Sequence, residues 1–297
     1  MTDNAPTLTP ERVLQRLEWQ VIRRLDGHLQ GDYRTLLRGQ GVDLRGLRDY
    51  EWGDDVRHID WNVTARMNEL FVREYMEDRE VTGWLLLDRS RSMTFGAADR
   101  TKERVLNELA ATFCRLLVRG ANRVGAIVYD GARCWTLPPR QGRNQVLALV
   151  RELLRPVRGG RVTELSQLLE TAARLVRRRS LVVLISDFIS EPGWERPLLR
   201  LTERHEVVAV RLVDAREYEL PDAGMLFVQD AETGEQLLVD SSSPELRRRL
   251  SAAAAEQDES IRRAVSQARV PLHVVSTGDD LVSAFVRMAG RDRGPRR

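Results

Sequence analysis

The chain has 297 residues, of which 42% are hydrophobic and 31% are charged, and its formal net charge is +3. This composition is ordinary for a globular protein, and two cysteines are too few for a disulfide framework. No apolar run approaches the roughly 18 residues of a membrane span, and the N-terminus lacks the pattern of a signal peptide. We therefore expect a cytoplasmic protein without membrane insertion.

Residues 1–80 contain few regular patterns. Arg12–Leu29 is predicted to be a helix, because apolar side chains recur there at helical spacing. These side chains are Leu14, Leu17, Val21 and Leu25. Gly39–Met67 is rich in glycine and charge without clear periodicity, and Leu70–Met76 alternates like a strand. We expect this part of the chain to form an extension that packs onto the rest.

From residue 81 onward, strand-like and helix-like segments alternate. The predicted strands are Gly83–Leu87, Arg123–Tyr129, Ala132–Leu137, Leu181–Ile185, Glu206–Val213, Met225–Gln229, Gln236–Val239 and Pro271–Ser276. The predicted helices are Thr101–Val118, Asn144–Leu154, Glu164–Val176, Trp194–Thr202, Pro244–Ala268 and Asp280–Ala289. This alternation predicts an α/β domain over residues 81–290, with a mainly parallel central sheet and helices on both faces. Residues 291–297 are predicted to form a flexible basic tail.

Oxygen-bearing side chains follow the first strand of this domain. An apolar run over residues 85–87 ends in Asp88, and Ser90 and Ser92 follow at alternate positions. Ligands of open α/β sheets bind beyond the carboxyl ends of the strands, where this loop would lie. Hard oxygen ligands suit Mg²⁺ better than Zn²⁺, which prefers His and Cys. The alternative for this loop is a polar turn that caps a helix.

Two more oxygen donors are predicted at the same edge of the sheet. Asp187 follows the apolar strand Leu181–Ile185, so its carboxylate would lie beside Asp88 if the two strands are neighbours. Thr163 precedes a predicted helix and could supply a hydroxyl. In the alternative reading, Thr163 is a helix N-cap and Asp187 an ordinary loop residue.

The order of these residues resembles the metal-ion-dependent adhesion site of von Willebrand factor A domains. The resemblance implies that Asp88, Ser90 and Ser92 form the first metal-binding loop, Thr163 the second and Asp187 the third. It also implies a Rossmann-like fold and a bound divalent ion, Mg²⁺, with Mn²⁺ or Ca²⁺ as alternatives. The chain departs from the pattern at residue 188, which is phenylalanine where many such domains have glycine.

A further resemblance concerns the residues before this domain. Short segments there look like the signature of a bacterial and archaeal family catalogued as domain of unknown function 58. They are Gly31-Asp32-Tyr33, Arg38-Gly39-Gln40-Gly41, Leu47-Arg48-Asp49-Tyr50, residues 53–61 and Ala65-Arg66. Members are frequently encoded beside MoxR-type AAA+ ATPases. The resemblance therefore implies a non-enzymatic, metal-dependent adaptor or co-chaperone of such an ATPase, which acts on a client that the sequence does not identify.

Two other functions remain as alternatives. Asp54, Asp55 and Asp60 with His58 could serve a metal-dependent hydrolase as an acid–base cluster. They could equally form a structural ion network with nearby arginines, with Ile59 and Trp61 as apolar anchors. No P-loop, dinucleotide-binding glycine motif, nucleophile elbow or zinc-protease motif is present in the sequence.

The arginine runs at residues 177–179, 247–249 and 291–297 could grip the phosphates of a nucleic acid. Acidic residues are interleaved with them, however, and no aromatic stacking platform accompanies them. A nucleic acid is therefore not the expected partner. Nearly all basic residues are arginine, and Lys102 is the only lysine in the chain.

Overall fold

The structure is a computed structural model. It describes residues 9–17, 21, 24–25, 47–51, 59, 61–67, 69–73, 82–97, 100–157, 163–218, 222–229 and 236–291. Within these ranges the strands are β1 (Leu47–Asp49), β2 (Phe71–Arg73), β3 (Thr82–Asp88), β4 (Gly96–Ala97), β5 (Arg100–Thr101), β6 (Arg123–Tyr129), β7 (Cys134–Arg140), β8 (Leu181–Ser186), β9 (Glu206–Val213), β10 (Met225–Gln229), β11 (Gln236–Asp240) and β12 (Leu272–Ser276).

The α-helices in the described ranges are α1 (Pro10–Leu17), α2 (Trp61–Met67), α3 (Lys102–Arg119), α4 (Arg143–Leu153), α5 (Leu165–Leu175), α6 (Glu195–Thr202), α7 (Pro244–Gln267) and α8 (Leu281–Arg291), and short 3-10 turns span Arg91–Thr94 and Ala215–Glu217. The predicted alternation from β3 to α8 is confirmed, with ends that lie within a few residues of the prediction. The sequence patterns missed β1 and α2, and also the small ribbon of β4 and β5.

Six strands form the central sheet, in the order β12-β9-β8-β3-β6-β7. β7 runs antiparallel to β6, whereas all other neighbours in this sheet run parallel. If these six strands are renumbered 1 to 6 in chain order, starting with β3, their order in the sheet read from β7 is 3-2-1-4-5-6. This is the order of a doubly wound, Rossmann-like sheet. The predicted fold class is therefore confirmed.

β3 lies at the centre of the sheet, and its side chains alternate between two cores. Leu85 and Leu87 pack on one face, together with residues of α1, α3, α4 and α8. Trp84 and Leu86 pack on the other face, together with residues of α5, α6 and α7. Because both faces are covered, a strand that is apolar at every position is stable here.

The N-terminal helix contributes to the first of these cores. Its predicted apolar stripe is confirmed, since Leu14, Leu17, Val21 and Leu25 are all buried there. Other parts of the predicted helix Arg12–Leu29 lie outside the described residues.

The chain divides into two compact units, one of residues 1–37 and 81–297 and the other of residues 38–80. In the smaller unit β1 and β2 pair antiparallel, with Leu47 opposite Arg73. The Phe71 N–H there donates to Thr64 Oγ1 of α2 at 3.1 Å. The division into an extension (1–80), a domain (81–290) and a tail (291–297) stays a prediction, and the tail beyond Arg291 lies outside the described residues.

The two edges of the central sheet differ. β7 carries Pro138 and Pro139, which have no N–H to donate and so discourage pairing with a further strand. β12, at the other edge, has no proline.

β10 and β11 form a separate antiparallel hairpin. Of the helices that the structure describes, none is both long enough and apolar enough to cross a membrane.

Candidate metal centre

The carboxyl ends of β3 and β8 bring two predicted carboxylates to the same edge of the sheet. The strands are parallel neighbours, with Leu87 opposite Ile185, so Ser186 follows beside Asp88 and Asp187 is the next residue along. Asp88 is 0% exposed and Asp187 is 1% exposed. The Ser186 hydroxyl, between them, donates to Asp88 Oδ2 at 2.7 Å. The condition on which the sequence analysis depended, that these strands are neighbours, is met.

The loop after β3 turns back over the Asp88 carboxylate. The Ser90 N–H donates to Asp88 Oδ1 at 2.9 Å. The hydroxyl oxygens of Ser90 and Ser92 lie 3.1 Å apart, and both serines are buried. Ser92 belongs to the 3-10 turn Arg91–Thr94, which keeps it close to Ser90. Asp88, Ser90 and Ser92 therefore form one compact group of oxygen donors.

A buried cation, which the sequence analysis did not assign to the site, contacts Asp187. Lys102 begins α3, and its Nζ donates to Asp187 Oδ2 at 2.6 Å and to Glu217 Oε1 at 2.5 Å. The Lys102 side chain is 0% exposed. Burial lowers the pKa of Lys102, but the two carboxylates outweigh it and hold that pKa above its ordinary value, so the amine is charged. In a chain with 47 basic residues, the single lysine occupies this position, where a compact ammonium fits better than a planar guanidinium.

Glu217 extends the polar network to the other strands of the sheet. Its Oε2 accepts the Asp214 N–H at 3.0 Å, and Asp214 Oδ2 accepts the Thr277 hydroxyl at 2.6 Å. The hydrogen bond from the Arg216 side chain holds the pKa of Asp214 well below its usual range. Asp214 follows β9 and Thr277 follows β12. The network therefore links the carboxyl ends of four neighbouring strands.

Thr163 lies beside the loop that follows β8. The Ser190 hydroxyl and the Glu191 N–H both donate to the Thr163 carbonyl, each at 3.0 Å. Thr163 is 2% exposed. Because α5 begins at Leu165 after the N-cap residue Glu164, Thr163 is not the helix N-cap that was considered as an alternative. The loop before α5 thus meets the loop that carries Asp187.

The structure explains how phenylalanine is accommodated at residue 188, where many von Willebrand factor A domains have glycine. Its φ is +61°, a left-handed conformation that glycine adopts without steric cost. Its ring is 2% exposed and packs edge-on against Trp194, with centroids 5.2 Å apart. Its N–H donates to Ser186 Oγ at 2.9 Å. Burial of the ring offsets the backbone strain and anchors the loop that holds Asp187.

The charges of the centre do not balance. The carboxylates of Asp187 and Glu217 share the single Lys102 ammonium, and Asp88 lies close by. With all three acids ionised, a formal excess of two negative charges remains among the described residues of the centre. Burial, followed by repulsion from Asp187, raises the pKa of Asp88 to about 6. A divalent cation beside Asp88 would neutralise this excess.

The donor set fits a small divalent ion. Adjacent ligands of octahedral Mg²⁺ lie about 2.9 Å apart when metal–oxygen distances are about 2.1 Å, which is close to the 3.1 Å between the Ser90 and Ser92 hydroxyl oxygens. Among the described residues, no group of three or more His, Cys, Asp or Glu could hold a metal ion. Hydroxyl groups, rather than a cluster of those residue types, would therefore supply most of the protein ligands.

The structure describes only some of the other predicted residues. Asp54, Asp55, His58 and Asp60 lie outside the described residues. Of the two predicted anchors beside them, Ile59 is buried as expected, whereas 66% of Trp61 is exposed. The arginines at 177–179 are all exposed, consistent with a solvated surface.

Lys102 and Glu217 are the two residues of the centre that sequence reasoning missed. Lys102 lies 85 residues from Asp187 and 115 residues from Glu217 along the chain, so no local spacing connects them. A signal was present, however. A lone lysine in a chain that otherwise uses arginine marks a position where the shape of the cation matters.

The strand order defines a Rossmann-like α/β domain with a mainly parallel central sheet. The chain belongs to the family described as "Protein of unknown function DUF58", whose model matches residues 46–260. It is 37% identical over 284 residues to the uncharacterized protein Rv1480 of Mycobacterium tuberculosis, with 95% of this chain and 89% of that protein covered.

Solved structures with a similar fold have low sequence identity to this chain. The conserved hypothetical protein BatB from Bacteroides thetaiotaomicron has a TM-score of 0.45 and 15% identity, with 71% of this chain and 98% of that chain covered. A von Willebrand factor type A protein from Catenulispora acidiphila has a TM-score of 0.38 and 15% identity, with 72% of this chain and 43% of that chain covered.

Proposed function

We propose that this chain is a non-enzymatic protein-binding module whose partner contact depends on a divalent ion, Mg²⁺, held at the carboxyl edge of the sheet. The observation that supports the proposal is the charge of the described part of the centre, where Asp88, Asp187 and Glu217 lie around one ammonium and leave an excess of negative charge beside the paired hydroxyls of Ser90 and Ser92. Mn²⁺ and Ca²⁺ are the alternative ions, because they take the same hard oxygen ligands.

Asp88, Ser90 and Ser92 would hold the ion, and Thr163 and Asp187 are the further ligands. Asp88 Oδ1 accepts the Ser90 N–H, Oδ2 accepts the Ser186 hydroxyl, and the Ser90 side chain also hydrogen-bonds to this carboxylate. A carboxylate has about four lone-pair sites, so one remains for a metal. Asp187 already contacts the Lys102 ammonium, so we place it further from the ion, as a ligand through water. When bound, the ion supplies a coordination position that takes an acidic side chain of the partner.

The rim of the centre favours an acidic partner. Arg91 is exposed in the 3-10 turn, and the Arg216 side chain is 48% exposed. Phe95 follows the turn and is 40% exposed, and Lys102 and Arg216 lie 5.8 Å and 6.0 Å from the centroid of its ring. Exposed arginines steer a carboxylate towards the centre, and an exposed aromatic ring beside them offers apolar contact area.

The family resemblance suggests a MoxR-type AAA+ ATPase as the partner, with this chain acting as an adaptor or co-chaperone towards a client. The surface around the centre, more than the ligands themselves, would select which protein supplies the carboxylate. The cytoplasm is the expected location, as the sequence analysis proposed.

A capture experiment tests this function. Tagged full-length chain is incubated with lysate of the source organism in Mg²⁺, in Mg²⁺ with excess chelator, and as Asp88→Asn in Mg²⁺. Asp222→Asn, which changes an exposed carboxylate of the same chain, is the matched control. We expect an AAA+ ATPase to be recovered by the wild type and by Asp222→Asn in Mg²⁺ alone. Equal recovery in all samples would mean that the metal centre is not the contact.

A further inference from the structure

β12 is an edge strand of the central sheet, with β9 as its partner. In a parallel ladder, alternate residues of a strand bond to the neighbour. The Pro271 carbonyl accepts the Ala209 N–H, and the Thr277 N–H donates to the Val213 carbonyl, each at 2.9 Å. The odd-numbered residues of β12 therefore face β9.

The backbone groups of Leu272 and Val274 consequently point away from the sheet. The next outward residue, Ser276, already donates its N–H to Asp279 Oδ2 at 3.2 Å, which ends the open stretch. Val274 is 38% exposed. β12 thus presents a short edge to which an added strand can hydrogen-bond.

A cavity of about 620 Å³ lies along this edge. Residues of α7 and the loop after it line one side, residues of α8 line the other, and Leu272–Val274 lie between them. Val270 and Met288 contribute buried apolar surface. The cavity is large enough to take apolar side chains of an added strand.

The rim of this cavity is basic. Arg262, Arg269 and Arg287 line it, and no Asp or Glu is among its described lining residues. Arg262 pairs with Asp258 and Arg287 with Asp279, so two of the three charges are partly compensated. Arg269 follows α7 and is exposed, in a left-handed backbone conformation with φ of 55°. A strand that docks here should therefore be acidic and apolar.

The β10–β11 hairpin of the same chain combines apolar side chains with an acidic sequence. Phe227 lies opposite Leu238, and Met225 shares their face, so three apolar side chains form a stripe. Their exposed fractions are 75% for Phe227, 50% for Leu238 and 59% for Met225. The sequence from residue 217 to residue 246 contains eight acidic residues and no basic one, although the whole chain is net positive. The hairpin thus has one apolar face, and the stretch of sequence that contains it is acidic.

We propose that the β12 edge binds the β10–β11 hairpin of a second copy of this chain. One strand of the hairpin continues the sheet along Leu272–Val274, the apolar stripe around Phe227 fills the cavity, and the acidic residues meet its arginines. The two surfaces are different, so the contact is head-to-tail and allows growth beyond a dimer.

Sedimentation velocity of the full-length chain over a range of concentrations tests this proposal. We expect assembly that increases with concentration and weakens with added salt, since part of the attraction is electrostatic. Phe227→Asp disables the hairpin and Val274→Pro removes an outward N–H from the edge, a substitution that edge strands tolerate. Each variant alone should be monomeric. Their equimolar mixture should form a 1:1 dimer, because one intact hairpin then meets one intact edge.

Two further variants serve as controls. Arg269→Glu replaces Val274→Pro as the edge variant if circular dichroism shows that the proline variant does not fold. Arg263→Glu changes an exposed arginine of α7 that is not part of the cavity lining, and it should assemble like the wild type. A wild-type chain that stays monomeric at all concentrations, or single variants that assemble as well as the wild type, would overturn the proposal.

Discussion

The Lys102 ammonium nitrogen lies 2.6 Å from Asp187 Oδ2, and neither side chain is more than 1% exposed. The pair continues through Glu217 to Asp214, and Ser186, the residue before Asp187, donates to Asp88. Because the ammonium already serves two carboxylates, no described cation pairs with Asp88. The balance between one lysine and three acids decides how the centre responds to metal, pH and mutation.

Replacing Lys102 by methionine should destabilise the metal-free protein. The variant keeps Asp187 and Glu217 close together without their cation, and breaking a buried pair in this way costs about 3–5 kcal/mol. Urea unfolding in chelator measures the loss. Saturating Mg²⁺ should restore more stability to Lys102→Met than it adds to the wild type, since the ion supplies positive charge near the same carboxylates.

The matched control for this experiment is Arg104→Met, two residues away on the same helix, which breaks a pair with Glu108 at the surface. Such pairs contribute only about 0.3–0.5 kcal/mol. A Lys102→Met variant that is no less stable than Arg104→Met would show that the buried ion pair does not support the fold.

The contribution of Asp88 should raise the free energy of unfolding of the metal-free protein as pH falls from 7 towards 5. Its folded-state pKa is about 6, whereas the unfolded value is about 3.9. Between these values the folded chain takes up a proton that the unfolded chain does not, so acid favours folding, by at most about 3 kcal/mol. Thermal unfolding in chelator across this range is the measurement.

The contribution of Asp88 is isolated by comparison with Asp88→Asn. His205 acts in the opposite direction, because burial lowers its pKa, and it is present in both proteins. The asparagine variant should be more stable than the wild type at pH 7 and should lose about half of that advantage by pH 5. Parallel pH profiles for the two proteins would contradict the assignment.

At residue 188, a glycine variant should be more stable than an alanine variant. Phe188→Ala loses a buried ring and should cost about 3–5 kcal/mol. Phe188→Gly loses the same ring but relieves the left-handed backbone, which should recover about 1 kcal/mol relative to alanine. Chemical denaturation of the three proteins tests this order. An alanine variant at least as stable as the glycine variant would mean that the backbone at residue 188 is not strained.

Phe95 should contribute to partner binding without affecting the metal. The residue is exposed at the rim, and its ring is not a ligand. Phe95→Ala is expected to weaken the captured complex about tenfold, the effect of roughly 1.4 kcal/mol of lost aromatic contact. Its Mg²⁺ affinity should equal that of the wild type. An unchanged complex would place the partner elsewhere on the surface.

Local patterns predicted much of this molecule. The alternation of apolar strands and amphipathic helices predicted the parallel sheet, since each segment shows its own periodicity. Asp88, Ser90 and Ser92 were found because a single loop carries them, and Asp187 because it directly follows a strand. These inferences need no knowledge of distant contacts.

The remaining features depend on the folded chain. The neighbouring position of β3 and β8 is set by the sheet order, which brings Asp88 to Ser186 across 98 residues. Lys102 lies on a helix and Glu217 in a 3-10 turn, and no spacing along the sequence connects the two residues. Phe188 was noted as a departure, but only its contact with Trp194 explains why the ring is accommodated.

Calorimetric titration of Mg²⁺ into the chelator-treated, full-length protein measures whether the proposed metal site exists. We expect one ion bound per wild-type chain, no binding to Asp88→Asn, weaker binding to Ser90→Ala and Ser92→Ala, and wild-type binding to Ser283→Ala, which removes an exposed hydroxyl on α8. Equal Mg²⁺ binding by the wild type and Asp88→Asn, or none by the wild type, would contradict this expectation.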